Sequence, residues 1–230
     1  MLMVLLPLLI TASMDVERVL AVVNGVPILV SDVDLAEAAV LVPRQTGEDD
    51  AGYRQTVVSA LLDLELRWQD LTAAGIAPRV QTDLDVAWRA TVQRAGGEEA
   101  LRRRLEQIGL GERELRELVR HAAVVQAYVA SRFAPFVRPT PQEIETAWRQ
   151  ELMPQLEKAG KHVPPLDDVR GEVEALLRER KLSAEIERWT SDLAKRAEIV
   201  RYPPATGGDA SVPPAAATRA SSPPPATPRN

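Results

Sequence analysis

Cysteine is absent from this chain, which excludes disulfides, thiolate chemistry and metal sites that use cysteine ligands. A block of basic residues is also missing. The 28 Lys and Arg against 33 Asp and Glu give a net charge of −5, so nucleic acid is not an expected partner. No glycine-rich phosphate loop follows a strand, and Gly96-Gly97 is better explained as a helix stop. These absences argue against thiol, nucleotide and nucleic-acid chemistry.

Histidine is scarce, and the abundant carboxylates do not form a catalytic pattern. His121 and His162 each lack an Asp, Glu or Ser at a motif spacing, which favours a helix surface and a loop over catalytic roles. Glutamates alternate with arginines in stretches such as EEALRRRLEQ, where Glu98 and Arg102 have the i,i+4 spacing of a solvated helix face. We therefore predict that the chain is not an enzyme and holds no cofactor or metal.

A hydrophobic run long enough to cross a membrane is missing too. The apolar start MLMVLLPLLITAS is well short of the ~20 residues of a spanning helix, but it suits the hydrophobic region of a signal peptide. Thr11 and Ser13 are small residues at the −3 and −1 positions for cleavage before Met14. No Lys or Arg precedes the run, which a start further upstream or a non-secreted apolar N-terminus would explain. We expect residues 1–13 to direct export to the periplasm, with no stable membrane span.

The other end of the chain is rich in proline and poor in large apolar side chains. The segment PPATGGDASVPPAAATRASSPPPATPRN contains eight of the 18 prolines. Such a segment cannot bury enough surface to offset the entropy of ordering, so residues 203–230 are expected to form a disordered tail. A Pro-rich ligand for a partner is the alternative.

Two apolar runs in RVLAVVNGVPILVSDVD predict a β-hairpin near the N-terminus. The Asn24-Gly25 pair tolerates positive φ at both central positions of a type I′ turn, so residues 18–23 and 26–30 should be paired strands. Pro27 has no N–H for a ladder, which places the second strand at an edge or lets only part of it pair. Because a two-stranded hairpin is marginal in water, we expect a third strand from the segment AEIVRY, near residues 199–201.

Helical periodicity dominates the sequence between these strands, so the predicted fold class is mainly α with a small β-sheet. The four tryptophans fall on or near apolar stripes and are interpreted as core anchors, with an exposed groove as the alternative. The stripes lie at residues 57–71, 84–92, 101–108, 115–133, 144–148 and 169–193. Predicted helix caps are Ser31 with Asp34, Thr82 with Asp85, and Thr140 with Glu143.

The order of these segments resembles that of the SurA-type periplasmic chaperones and their parvulin-family relatives. Those proteins open with a pattern I-A-V-V-N-x-x-x-I-x-x-S-D, to which VERVLAVVNGVPILVSDVD is similar. Two helical passages of the family look like VVSALLDLELRWQDLTAAGI and RRLEQIGLGERELRELVRHAAVVQAYV, and the segment before the isomerase domain resembles PTPQEIETAW. The family's last helix and strand are similar to PPLDDVRGEVEALLRERKLSAEIERWTSDLAKRAEIVRY. The resemblance covers nearly all of residues 16–202.

The chain departs from this family in one large respect. In the family, one or two parvulin domains lie between the Thr-Pro-x-Glu-Ile helix and the C-terminal helix. Here only a short polar connector separates Met153 from Asp167, whereas even small domains need at least ~40 residues. The histidine pair and the cysteine or aspartate of a parvulin site are absent with the domain. The resemblance thus implies a chaperone domain at 14–202, with an N-terminal part 14–153, a connector 154–166, and a C-terminal helix and strand 167–202.

The resemblance implies a periplasmic, ATP-independent holdase without prolyl isomerase activity. In the family, the N-terminal helices and the C-terminal helix surround a crevice that takes extended segments of unfolded proteins, chiefly outer-membrane β-barrels. We expect client binding at Phe133, Phe136 and Trp148, which lie where a long helix ends and the capped helix begins. The alternative for all three is core packing. Alternative functions are a scaffold that docks one fixed partner and an isomerase-family protein with degenerate activity.

Overall fold

The computed structural model describes residues 17–202, so the predicted segment 1–13 and the predicted tail 203–230 lie outside the described residues. The described chain is mainly helical with one three-stranded antiparallel sheet, as the sequence predicts. Within residues 17–202, no helix has the length and apolar character needed to cross a bilayer. The strands are β1 (Val19–Val23), β2 (Val26–Leu29) and β3 (Ile199–Arg201), and the helices are α1 (Val30–Ala38), α2 (Asp50–Ala73), α3 (Leu84–Arg94), α4 (Glu98–Ile108), α5 (Glu112–Arg132), α6 (Pro141–Ala147), α7 (Met153–Lys158) and α8 (Leu166–Ala194).

The sheet joins the two ends of the described chain in the order β2-β1-β3. Asn24 and Gly25 have φ of 48° and 85°, the positive values that a tight hairpin turn of this type requires. β1 pairs antiparallel with β3 through Ala21–Arg201, Val22–Val200 and Val23–Ile199, which confirms the predicted third strand. The Asn24 side chain reinforces this closure, because its carbonyl oxygen accepts a hydrogen bond from the Glu198 N–H at 2.8 Å.

Pro27 lies on an edge strand, as predicted, and its missing N–H falls on the free side. The Asn24 N–H donates to the Glu198 oxygen and the Tyr202 N–H donates to the Leu20 oxygen. Even-numbered residues of β1 therefore bond to β3 and odd-numbered residues bond to β2. Val22 faces Pro27 across a non-hydrogen-bonded pair, so the proline costs the sheet no hydrogen bond and offers no donor to another strand.

The junction between β2 and α1 differs from the sequence prediction. The predicted Ser31–Asp34 cap is wrong, since the Asp32 carboxylate accepts from the Leu29 N–H at 2.8 Å and α1 begins at Val30. No loop separates the two elements: the Val30 N–H still donates to the Arg18 oxygen at 3.0 Å. Because the ladder and the helix share this residue, the second strand ends at Leu29 and the capping position moves forward.

The other two predicted caps have different outcomes. Asp83 rather than Thr82 caps α3, since the Asp83 carboxylate accepts from the Val86 N–H at 2.9 Å. The capping box at α6 is confirmed: the Thr140 hydroxyl accepts from the Glu143 N–H at 3.2 Å, and the Glu143 carboxylate accepts from the Thr140 N–H at 2.7 Å.

The core of the main body is organised around α2, which is buried on more than one side. The predicted stripe residues Val57, Leu61 and Leu71 are buried, and Leu62 and Leu66 are buried as well. Trp68, also predicted on the stripe, is half-buried. The principal buried cluster contains Ala21, Val23, Ile28, Val33, Ala36, Val57, Leu61, Leu62, Leu66 and Leu193. The inner face of the sheet, α1, α2 and the end of α8 thus share one core.

A second, smaller lobe is formed by α6, α7 and the first half of α8, and we call it the α6–α7 lobe. It has its own buried cluster of Ile144, Ala147, Trp148 and Val173. The predicted connector 154–166 is wrong in its first part, because helical structure continues through a π-helical turn at Trp148–Leu152 into α7. Pro154 lies where the π-helical turn passes into α7, and because it has no N–H the hydrogen-bond ladder is interrupted at this position. The non-helical link is residues 159–165, since α8 begins at Leu166.

Candidate functional site

The end of α5 presents an exposed aromatic side chain. The helix ends at Arg132, and Pro135 starts a short 3₁₀ turn in which the Phe136 N–H donates to the Phe133 oxygen at 3.0 Å. The turn directs Val137 into the interior and leaves Phe136 77% exposed. The Arg132 guanidinium lies 5.9 Å from the Phe136 ring centre, so the ring has contact with a cation but little apolar cover.

Next to Phe136 lies a group of three half-buried rings, Tyr128, Phe133 and Trp189, which we call the aromatic cluster. The Trp189 ring centre is 5.6 Å from that of Tyr128 and 5.6 Å from that of Phe133. Tyr128 and Phe133 meet edge to face at 6.2 Å. The cluster joins α5, in the predicted N-terminal part 14–153, to α8, in the predicted C-terminal part 167–202.

Polar contacts between α2 and α8 fix the position of Trp189. The indole N–H donates to the Asp70 carboxylate at 3.2 Å, and the Arg67 Nε–H donates to the Thr190 hydroxyl at 2.7 Å. Burial lowers the pKa of Arg67 and raises the pKa of Asp63, with which Arg67 also pairs. These bonds hold α8 against α2 and fix the position of the Trp189 ring in the cluster.

An apolar stripe continues the aromatic cluster along α8. Ile186 and Leu182 precede Trp189 by one and two helical turns, and both are half-buried. From Leu182 to Trp189 the stripe extends about 10 Å along the helix axis. The stripe thus adds branched apolar side chains to the rings of the cluster on one face of α8.

The structure brings together two of the three predicted site residues and separates the third. Phe133 and Phe136 share the turn at the end of α5, whereas Trp148 is 7% exposed and packs in the core of the α6–α7 lobe. Val173, in the same cluster as Trp148, precedes Trp189 by about 24 Å of helix. One edge of Trp148 lines a separate cavity of about 360 Å³ with Leu152, Leu156, Val169 and Leu176.

Tyr128 and Trp189 were not among the predicted site residues. Tyr128 lies in α5, five positions before Phe133, and is next to Val129 of the predicted stripe without belonging to it. Trp189 is far away in sequence, and its i,i+3 and i,i+7 spacing to Ile186 and Leu182 is the one local signal of a shared face. Its contact with Phe133 depends on how α8 packs across α5.

The two histidines are not near this surface. His121 stacks on Trp68 with ring centres 3.9 Å apart, which corrects its predicted place on a helix surface, and His162 is exposed in the link before α8. Burial lowers the pKa of His121 to about 4, with a further contribution from Arg120. Within residues 17–202, no three His, Asp or Glu side chains converge as metal ligands would.

Comparison with models of known protein families gives no match for this chain, and comparison with curated protein sequences gives no match either. The functional interpretation therefore depends on the residues and their arrangement.

Proposed function

We propose that this protein is an ATP-independent holdase of the periplasm that binds unfolded polypeptides, chiefly outer-membrane β-barrel chains. The observation that carries the proposal is the exposed Phe136, three residues after Phe133 of the aromatic cluster that joins α5 and α8. A contiguous exposed patch of apolar and aromatic side chains is a surface through which a soluble protein binds other chains. The sequence resemblance to the SurA-type chaperones, and the N-terminal segment that suits export, support the same function.

The chemistry of the surface suits loose binding of varied chains. Burial of apolar area contributes about 25 cal/mol per Å², and ordering the bound segment offsets much of this gain. Aromatic faces accept many apolar partners because stacking and edge contacts do not require one fixed geometry. A bound client is then released by its own folding, without a nucleotide.

The proposal is tested by dilution of a denatured outer-membrane barrel protein into buffer with stoichiometric amounts of the full chain, followed by light scattering. We expect the chain to suppress scattering, and Phe136→Ala to weaken suppression severalfold without loss of fold, because the side chain is 77% exposed. Tyr202→Ala is the matched control, since it removes an aromatic ring that is 45% exposed on the sheet, away from the cluster. Equal loss in both variants, or undiminished scattering with the wild type, contradicts the proposal.

Trp148 was predicted to bind clients, but Trp148→Ala is a poor test of client binding. The side chain is buried, and truncation of a buried tryptophan costs about 3–5 kcal/mol through the cavity that it leaves. A binding defect in that variant would therefore report unfolding of the α6–α7 lobe. We keep Phe136 as the residue that separates binding from stability.

The scaffold and isomerase alternatives give different results in the same preparation. A scaffold would bind one folded partner tightly and leave scattering unchanged. An isomerase would accelerate prolyl exchange above the spontaneous time of ~10–100 s in a protease-coupled peptide assay. We expect no catalysis of prolyl exchange, because the connecting link is too short for a parvulin domain. We expect suppressed scattering, which the scaffold alternative does not produce.

A further inference from the structure

A groove on the opposite end of α5 has a composition unlike that of the aromatic cluster. It lies between α3, α4 and the start of α5 and has a volume of about 500 Å³, within the range of specific binding pockets. Its floor is apolar and consists of Trp88, Val92, Leu101, Leu105 and Leu110. We call this the α3–α4 groove.

The apolar face of α3 extends beyond the residues that line the groove, as far as Leu84. Leu84, Trp88 and Val92 follow one another at i,i+4 on a single face of α3. Val92 is buried and Trp88 is half-buried, but Leu84 is 42% exposed. The apolar stripe from Val92 to Leu84 is about 12 Å long and becomes more exposed toward Leu84. This length matches about two turns of a bound helix.

The rim of the groove is acidic. Glu98, Glu99, Glu106 and Glu112 line it together with Arg102 and Arg116, so four negative charges face two positive charges. Arg102 pairs with Glu99 at 2.6 Å and Glu106 at 3.1 Å, and Arg116 pairs with Glu112 at 2.6 Å while its guanidinium lies 4.0 Å from the Trp88 ring. Arg103, 3.9 Å from Glu99, adds a third positive charge beside the rim. All three arginines are paired with glutamates, and the rim keeps an excess of one negative charge.

We propose that the α3–α4 groove docks a cationic amphipathic segment of another protein, with large apolar side chains on the floor and Lys or Arg against the glutamate rim. Charge complementarity selects this occupant. A second copy of the chain is disfavoured by its net charge of −5. Residues 203–230 contain few large apolar side chains to fill the floor.

The site is separate from the proposed client-binding surface. Arg116, at the groove, and Phe133, in the aromatic cluster, are 17 positions apart, or about 25 Å along α5. The proposal therefore holds or fails independently of the holdase function. Phe136→Ala should leave docking in the groove unchanged.

The test uses a fluorescein-labelled 12-residue peptide with four Lys flanking three Leu at helical spacing, titrated against the full chain by anisotropy. We expect saturable binding, with Kd raised at least fivefold by Glu98→Gln with Glu106→Gln, and by Leu84→Lys. Leu84 is exposed, so its substitution should leave the circular dichroism spectrum unchanged. Glu157→Gln with Glu179→Gln is the matched control, because it removes the same charge from exposed positions on α7 and α8, with a change in Kd below twofold.

Three results would overturn the proposal. A peptide with Ser in place of Leu that binds equally well shows charge attraction without use of the floor. Unchanged affinity in Leu84→Lys places the peptide elsewhere. Self-association in sedimentation experiments that Leu84→Lys abolishes makes a second copy the occupant.

Discussion

His121 shows how a single residue acquires an unusual environment without a catalytic role. Its ring is stacked on Trp68, and the Arg120 guanidinium lies 3.0 Å from its Nε2 atom. Arginine can only donate, so Nε2 accepts and the ring is neutral. The same guanidinium lies 5.0 Å from the Trp68 ring centre. Glu117 favours the protonated form, but burial and Arg120 outweigh it.

We predict that His121 makes the stability of the fold sensitive to acid. Its pKa is about 4 in the folded chain against 6.5 ordinarily, so between these values the unfolded chain binds a proton that the folded chain does not. Stability from this residue is therefore complete above pH 6.5 and is lost as pH falls toward 4. Urea unfolding across this range should show a smaller loss for His121→Phe, which keeps the stack and cannot titrate.

Comparison of the variant with the wild type is needed because buried carboxyl groups stabilise the folded chain as pH falls, which opposes the effect of His121. Asp32 and Glu65 line one cavity with His121, and burial raises the pKa of each carboxyl. The folded chain therefore binds protons at these two groups before the unfolded chain does, which favours the folded chain as pH falls. His162→Gln, at an exposed position, should follow the wild-type profile. A His121→Phe profile that is parallel to that of the wild type would show that the histidine does not contribute.

The sequence does not predict this environment for His121. Its spacing on α5 places it beside the apolar stripe, which is compatible with solvent or with burial. The deciding contact comes from Trp68 on α2, and the angle between the two helices is not encoded at either position.

At the scale of elements, the α6–α7 lobe depends on its first turn. Thr140 and Glu143 form a reciprocal cap, and Glu143 also pairs with Lys181 on α8 at 2.6 Å. The bonds from Lys181 and Thr140 lower the pKa of Glu143 to about 2, so the carboxylate stays ionised at neutral pH. Arg180 and Glu151 make a parallel link from α8 to the π-helical turn at 2.6 Å.

We predict that Thr140→Ala loosens this lobe without affecting the main body. Loss of a threonine N-cap costs about 1 kcal/mol, which corresponds to about fivefold faster exchange of amides that open locally. Hydrogen exchange should therefore accelerate in residues 141–158 and stay constant in α2. Thr146→Ala, at an exposed site in α6 away from the cap, should leave exchange unchanged. Equal acceleration in α2 would mean that the two parts unfold as one unit.

Element ends were predictable only where one capping residue had no competitor. The Thr140 box stands alone before a proline at the first helical position, and the structure confirms it. Thr82 is followed at once by Asp83, another strong N-cap residue, and the structure uses the second. Ser31 fails because the β2 ladder extends to Val30, a tertiary constraint that a local pattern does not contain.

At the scale of the whole molecule, the sheet was more predictable than the candidate site. The hairpin needed a third strand, and a single β-compatible segment was available to supply it. The site instead requires α5 and α8 to cross at Phe133 and Trp189, residues 56 positions apart. Neither residue carries a local signal of the other. The sequence also does not show that Phe133 and Phe136 share one turn while Trp148 packs in the α6–α7 lobe.

The pairing of β1 with β3 links the two ends of the described chain, and we predict that its hydrogen bonds stabilise the fold. Glu198 and Tyr202 both bond to β1, so the N–H of Val200, between them, also faces β1. The N–H of Arg201 faces the free edge. Val200→Pro should therefore lower the free energy of unfolding by roughly 1–3 kcal/mol, because it removes a ladder hydrogen bond.

Arg201→Pro is the matched control, since proline is tolerated where the N–H points away from the sheet. It should cost much less in the same urea unfolding experiment. Val200 is 41% exposed, so loss of its side chain contributes little to the difference. If Arg201→Pro is the more destabilising of the two, the register of β3 is shifted by one residue. Equal destabilisation would mean that the loss does not come from the Val200 hydrogen bond. If neither variant is destabilised, pairing with β3 does not stabilise the hairpin. The packing of α2 against the sheet must then be what stabilises it.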